Sequence, residues 1–485
     1  MTYMEKSVEE LHELLITGAV TPKELLEEAL QKSHEIQEKY NAFITIVDQA
    51  EAGEVSEHML SAIPYGAEDL YSTKGILTTG GSEALCDYVP FFHAAAVERL
   101  EEAGAVLAGK TAMDEFGIGT TGTTGYTGEV RNPWDSSRIC AGSGAGSACA
   151  VAAGVYPFAL GTDTGDSIRK PAAYCGIVGY KPTYGMISRH GVFAGVSSMD
   201  HCGVFTRSVV DAAIVVDAMK GTDIDDMTTW DTSDVHLRDA LTGDLKGKKL
   251  CYVKELCDIA NYPGADEQLK AHLANFMEKV EMLRAQGVQV DEVSVDRALL
   301  EAVPSVYHVI GAAEISSNLG GITGLIFGPR GEGRSWAELM KDYRTKHFGS
   351  LTKRKLVVGS YVLQDENQER YFRKAQRARR VIVDTWKELF RSYDAVIQPA
   401  GTGPAKHSDS ALDPHTEGTE ALEDAMLIGS FGGFPSITIP DGFVEGLPVG
   451  MNITGRIYED EDLLNIAYGI EGMMDYKGRI AREVK

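Results

Sequence analysis

Two serines set the chemistry this chain offers. Ser143 lies in the loop Ala141-Gly-Ser-Gly-Ala-Gly-Ser147, and Ser167 closes a second loop, Gly161-Thr-Asp-Thr-Gly-Asp-Ser167. Small residues at this density add little core; they let backbone N–H groups converge on a negative group and leave hydroxyls within reach of a ligand. A serine is a nucleophile only when something takes its proton. For Ser167, the N–H groups of Thr164, Gly165, Asp166 and Ser167 itself would supply an oxyanion hole, which suits acyl transfer. The usual base is histidine, but none of the 12 histidines sits in a loop motif beside these serines, His190 and His201 being the nearest. The alternative is a base that reaches the nucleophile through a second hydroxyl.

The elements around the loops follow from the local pattern. Phe158-Ala-Leu-Gly161 reads as a short buried strand feeding the second loop, and Ser147 to Ala153 as a helix leaving the first. Helical periodicity marks Ser7 to Leu15 and Thr21 to Tyr40, the latter opened by a Thr-Pro start with Glu24 near its positive end. Further helices are expected at Ala94–Ala103, Glu267–Gln286 and Lys353–Tyr393. Strands are expected at Asn41–Val47, Val106–Gly109, Leu250–Val253, Val288–Val295, Ala395–Pro399 and Ser436–Pro440. Alternating strands and helices place the chain in the α/β class. No repeat or composition break divides it, so one domain over residues 1–485 is expected, with a polar loop at Pro414–Glu423.

Composition narrows the partners. The 485 residues carry a formal net charge of −25, with 44% hydrophobic and 24% charged residues. So acidic a chain lacks the basic face that nucleic acid or anionic lipid needs, and no direct binding to either is expected. Seven irregularly spaced cysteines without a CxxC pair point to a reducing, cytoplasmic setting, with neither a disulfide framework nor a zinc site. The N-terminus lacks the apolar core of a signal peptide, and no uninterrupted apolar run approaches bilayer length.

The loops and several shorter segments together resemble the amidase signature family, most of all its tRNA-linked members. Matching pieces include Asn41-Ala-Phe-Ile-Thr, Ser72-Thr-Lys-Gly75, Gly109-Lys-Thr-Ala-Met-Asp-Glu-Phe116, Arg131-Asn-Pro-Trp134, Ser143 to Pro182, Ser197-Ser-Met-Asp200, Phe205-Thr-Arg207 and Gly446-Leu-Pro-Val-Gly450. The resemblance implies a single α/β/α domain around a mixed sheet, with its core signature at about 63–210 and a helical region at about 267–392. It implies amide hydrolysis without a cofactor or metal, glutamine as a substrate, and partner subunits of the B and C types. It also implies a Ser–Ser–Lys triad, with Ser167 as nucleophile and Ser143 as the bridging hydroxyl. Thr164, Gly165 and Asp166 fall in the oxyanion loop, and Gly142, Arg354 and Glu423 on the substrate side.

This sequence departs from the family pattern where the chemistry is concentrated. In Pro64-Tyr-Gly-Ala-Glu-Asp-Leu-Tyr-Ser-Thr-Lys-Gly75 the position of the catalytic lysine is Glu68. A carboxylate can accept a proton, but it reverses the sign of the charge beside a forming oxyanion. Lys74 is the nearest alternative amine. Asp166 stands where the family has glycine, Ala141, Gly144 and Ala145 alter the first loop, and Ser430 takes an asparagine position. Three readings follow: an amidase with an altered base, a silent relative that keeps the fold for binding or assembly, and an acidic cluster of Glu68, Asp163 and Asp166 that takes a cation or amine.

Overall fold

A computed structural model describes residues 2–262, 264–410 and 420–483. Its spine is an 11-stranded mixed sheet. The strands are β1 (Phe43–Ile46), β2 (Pro64–Glu68), β3 (Val106–Thr111), β4 (Phe158–Asp163), β5 (Val178–Lys181) and β6 (His201–Thr206), followed by β7 (Lys249–Val253), β8 (Gln289–Val293), β9 (Ala395–Pro399), β10 (Ser436–Val444) and β11 (Leu447–Gly455). Their order across the sheet is β1-β3-β2-β4-β6-β5-β10-β11-β9-β7-β8. β2 pairs in parallel with β3 and β4, and β7 with β8 and β9; β4, β6, β5, β10 and β11 form a continuous antiparallel stretch at the centre. Every residue of β4, β6 and β11 is buried, which is why these strands carry apolar and small residues on both faces.

The two N-terminal helices begin where their caps dictate. Ser7 with Glu10, and Thr21 with Glu24, form reciprocal capping boxes, and Pro22 opens the helix Pro22–Tyr40. That helix ends at Asn41 in a left-handed conformation, so β1 starts only at Phe43.

Three sequence expectations change. The run Lys353–Tyr393 is not one helix but three, Ser350–Val362, Asp365–Gln368 and Phe372–Leu389. The helical region at 267–392 contains β8, the alternating segment that the sequence already marks as a strand. Pro440 does not end its strand: β10 continues to Val444 through a register shift between Pro440 and Gly442, which spares the missing N–H a ladder position. Most of the polar loop expected at Pro414–Glu423 lies outside the described residues.

By length and composition the segment Arg297–Gly321, with a mean hydropathy of 1.2, would suffice to cross a bilayer. Here its helix packs instead against the helices Ser350–Val362 and Phe372–Leu389. All seven cysteines are free thiols.

Candidate active site

β2 and β4 run side by side in parallel, with Gly66 opposite Ala159 and Ala67 opposite Leu160. Their last residues therefore emerge together at the carboxyl edge of the sheet, where open α/β folds place their ligands. Glu68 and Thr162 meet there. Glu68 Oε1 accepts the Ser143 hydroxyl at 2.8 Å, while Oε2 accepts the Thr162 N–H at 2.5 Å and the Thr162 hydroxyl at 2.8 Å. The carboxyl is completely buried. Burial pushes its pKa up to about 7 against the pull of those three donors. It therefore exchanges a proton near neutral pH, the range in which a general base works best.

The two Gly/Ser loops touch directly. The Gly144 N–H donates to the Ser167 carbonyl at 3.3 Å, and Ser143 is followed closely by the helix Ala145–Ala152. Small residues are obligatory in that helix: a Cβ on Gly146 would run into the backbone of Ala42 and Ala112. Gly142 is packed just as tightly against the Asp114 carboxylate and does not line the cavity at Ser167. Asp114 in turn accepts N–H groups from Thr121, Gly122, Thr123 and Thr124, and so shapes the loop facing Ser167.

Ser167 opens into a cavity of about 610 Å³ that it shares with Thr164, Asp166, Lys170, Tyr307, Arg354 and Glu423. The N–H groups of Gly165, Asp166 and Ser167 donate to no group among the described residues, leaving them available to an oxyanion. The loop is pinned from behind by Arg169. Its buried guanidinium donates to Asp163 at 2.9 and 3.0 Å, to the Gly165 carbonyl, to the Met426 carbonyl at 2.7 Å and to Ser430 Oγ at 3.1 Å. Burial opposes charge on Asp163, but Arg169 outweighs it and holds the carboxyl at about 2.

Asp166 does not lie bare beside Ser167. Its carboxylate pairs with Lys170 at 3.5 Å, and Lys170 also pairs with Glu423. Glu423 further accepts the Thr402 hydroxyl at 2.6 Å and pairs with Lys406 at 3.8 Å. Burial works against each charge, yet the mutual attraction holds Glu423 at about 2 and lifts Lys170 well above an ordinary lysine. Asp166 is raised, with burial outweighing the pull of Lys170.

Sequence reasoning missed Lys170. Its signal was the i, i+4 spacing from Asp166, which places both side chains on one face at the start of a helix. It also missed Thr162, whose importance rests on strand register alone.

The alternative bases fall elsewhere. Lys74 is exposed, with its N–H on His93. His190 and His201 line an adjoining cavity of about 200 Å³ whose lining does not include Ser167. Burial holds the His201 imidazole well below its usual value, hence neutral. Lys110 is buried but committed to Asp69 at 2.9 Å. Nor do Glu68, Asp163 and Asp166 converge: each has its own partner set, and no group of three metal-binding side chains occurs among the described residues.

Known proteins resemble this chain over nearly its whole length. A family model described as Amidase matches residues 24–464. The A chain of glutamyl-tRNA(Gln) amidotransferase from Exiguobacterium sibiricum is 36% identical over 480 residues, covering 97% of this chain and 98% of its own. The protein of the same name from Geobacillus kaustophilus is 36% identical over 490 residues, covering 98% and 99%. The crystal structure of the protein of that name from Thermotoga maritima superposes with a TM-score of 0.81 at 31% identity, covering 100% of this chain and 99% of that one. By family match, sequence identity over nearly the whole length and fold, this chain belongs to the amidase family.

Proposed function

We propose that this protein hydrolyses a small carboxamide with Ser167 as nucleophile and a Ser143–Glu68 pair as its proton relay. The observation that carries the reading is the Ser143 hydroxyl donating to Glu68 Oε1 at 2.8 Å, which leaves the Ser143 lone pairs open to the Ser167 proton once bound substrate brings the two hydroxyls together. As Ser167 attacks the carbonyl, its proton passes to Ser143 and the Ser143 proton passes to Glu68. The carboxylate becomes neutral while the substrate oxygen becomes negative, so charge moves within the site and its total is unchanged. The N–H groups of the 164–167 loop receive the oxyanion. Glu68 then returns its proton through Ser143 to the departing nitrogen, ammonia leaves, and water releases the acid from Ser167 by the same relay.

Glutamine is the amide that the relatives' name points to, since similar relatives carry the name of one chain of a glutamyl-tRNA(Gln) amidotransferase, and it is tested beside other small carboxamides. That name is of one subunit among others, so we place the chain beside further subunits, of the B and C types that the resemblance implies, and the seven free thiols suit a reducing, cytoplasmic setting. Ammonia release from simple amides, measured for the parent and for Ser167→Ala, tests the reading. Turnover abolished by Ser167→Ala is the expected result. No turnover and no covalent labelling of the parent would instead favour a binding or assembly role, for which the locking of Glu68 by three donors would be purely structural.

A further inference from the structure

We infer that the cavity takes a carboxylate-bearing amide without a free α-ammonium group, and that Lys170 is the residue that enforces this; the inference rests on reading the cavity as the amide site. Every carboxylate lining the cavity beside Ser167 is already engaged. A zwitterionic amide such as glutamine must place an ammonium as well as a carboxylate, and in a buried site each needs an opposite charge. Three carboxylates line the cavity, Asp166, Glu423 and Asp424; the first two are already paired with Lys170, with Lys406 a second cation on Glu423. Asp424 has interactions of its own.

An incoming ammonium would therefore meet the Lys170 ammonium, which is 4% exposed and held firmly protonated by its two carboxylates. Lys170 occupies, from within the chain, the position a substrate ammonium would need. Arg354 is different. It lines the same cavity from the helix Ser350–Val362 and has no hydrogen-bond or ion-pair partner among the described residues. Next to it, Lys355 adds a second cation. A substrate carboxylate is thus welcomed, and a planar guanidinium suits it.

Glutaramate is glutamine with its α-ammonium replaced by hydrogen, so the two form a matched pair. Their binding to the full-length Ser167→Ala protein, measured by calorimetry, reads the proposal without requiring turnover. Glutaramate is expected to bind about tenfold or more tightly than glutamine, the scale on which a like-charge contact acts. In Lys170→Gln on the same background, which keeps a polar partner for Glu423, the ratio is expected to fall to about threefold or less. Glutamine binding as tightly as glutaramate, a ratio unchanged in Lys170→Gln, or binding of neither would overturn the proposal. Should Lys170→Gln not fold, the ratio in the Lys170 protein decides alone. Absence of amide turnover in the parent, with the binding order kept, would sink the catalytic reading and leave this one standing.

Discussion

Glu68 is the residue on which the proposed relay turns. Its burial raises the carboxyl to about 7, so the base form is lost as pH falls through that value. The kcat/KM for amide hydrolysis is therefore expected to rise with pH and level off above about 7, and Glu68→Gln to lower it by about 10²–10⁴-fold across the range. Ser143 is 1% exposed and touches Glu68 rather than the cavity. Ser143→Ala should lower kcat and leave KM nearly unchanged, since the hydroxyl acts only while the proton moves. A large rise in KM would mean that Ser143 binds substrate and would remove it from the relay. These two serines were legible in the sequence because Gly/Ser loops announce themselves by composition. The partner Glu68 was legible only through its alignment to Asp69 and Ser72–Gly75. The Asp166–Lys170–Glu423 network joins residues more than 250 positions apart, and only the fold brings them together.

At the level of elements, the site depends on close approach. The helix Ala145–Ala152 presses its first turn against Ala42 and Ala112, and this contact positions Ser143 just ahead of it. Gly146→Ala is expected to destabilise the protein by roughly 3 kcal/mol, because the obstructing atoms are backbone and cannot swing away. A thermal scan would read this as a clear drop in Tm, and an unchanged Tm would show that the helix can retreat. Alternation of strands and helices was readable from the sequence, yet β2 was not. Pro64-Tyr-Gly-Ala-Glu68 has no alternating pattern, and Pro, Gly and Glu are poor strand residues. It is a strand because β3 and β4 pair with it on both sides, a tertiary cause invisible in a local window. The long helical run after Lys353 broke for the opposite reason: periodicity continued, but the chain turns at Leu363–Gln364 and again near Tyr371.

Across the whole molecule, buried carboxyls set the pH dependence of stability. Burial raises Glu68, Asp441 and Glu471 to about 7 and Asp211 to about 6. A raised carboxyl contributes stability below its unfolded value, and that contribution is lost as pH rises through the folded value. Asp163 and Glu423, held at about 2, contribute in the opposite sense: their share is present above the unfolded value and is lost as pH falls toward 2. Stability should therefore peak at mildly acidic pH, with the net charge of −25 adding self-repulsion above it. Asp441→Asn is expected to raise stability near pH 8 by about 2–4 kcal/mol and to change little near pH 3, below the unfolded value, where the carboxyl is neutral in both states. Equal effects at both pH values would contradict that origin. Whether Glu68 activates Ser167 through Ser143 is decided by the rate at which a fluorophosphonate labels the intact protein between about pH 5 and 9, read by mass spectrometry. A single adduct on Ser167 is expected, forming faster as pH rises through about 7, with a collapse of that rate in Glu68→Gln. No adduct in the parent, or an equal rate in Glu68→Gln, would contradict the relay.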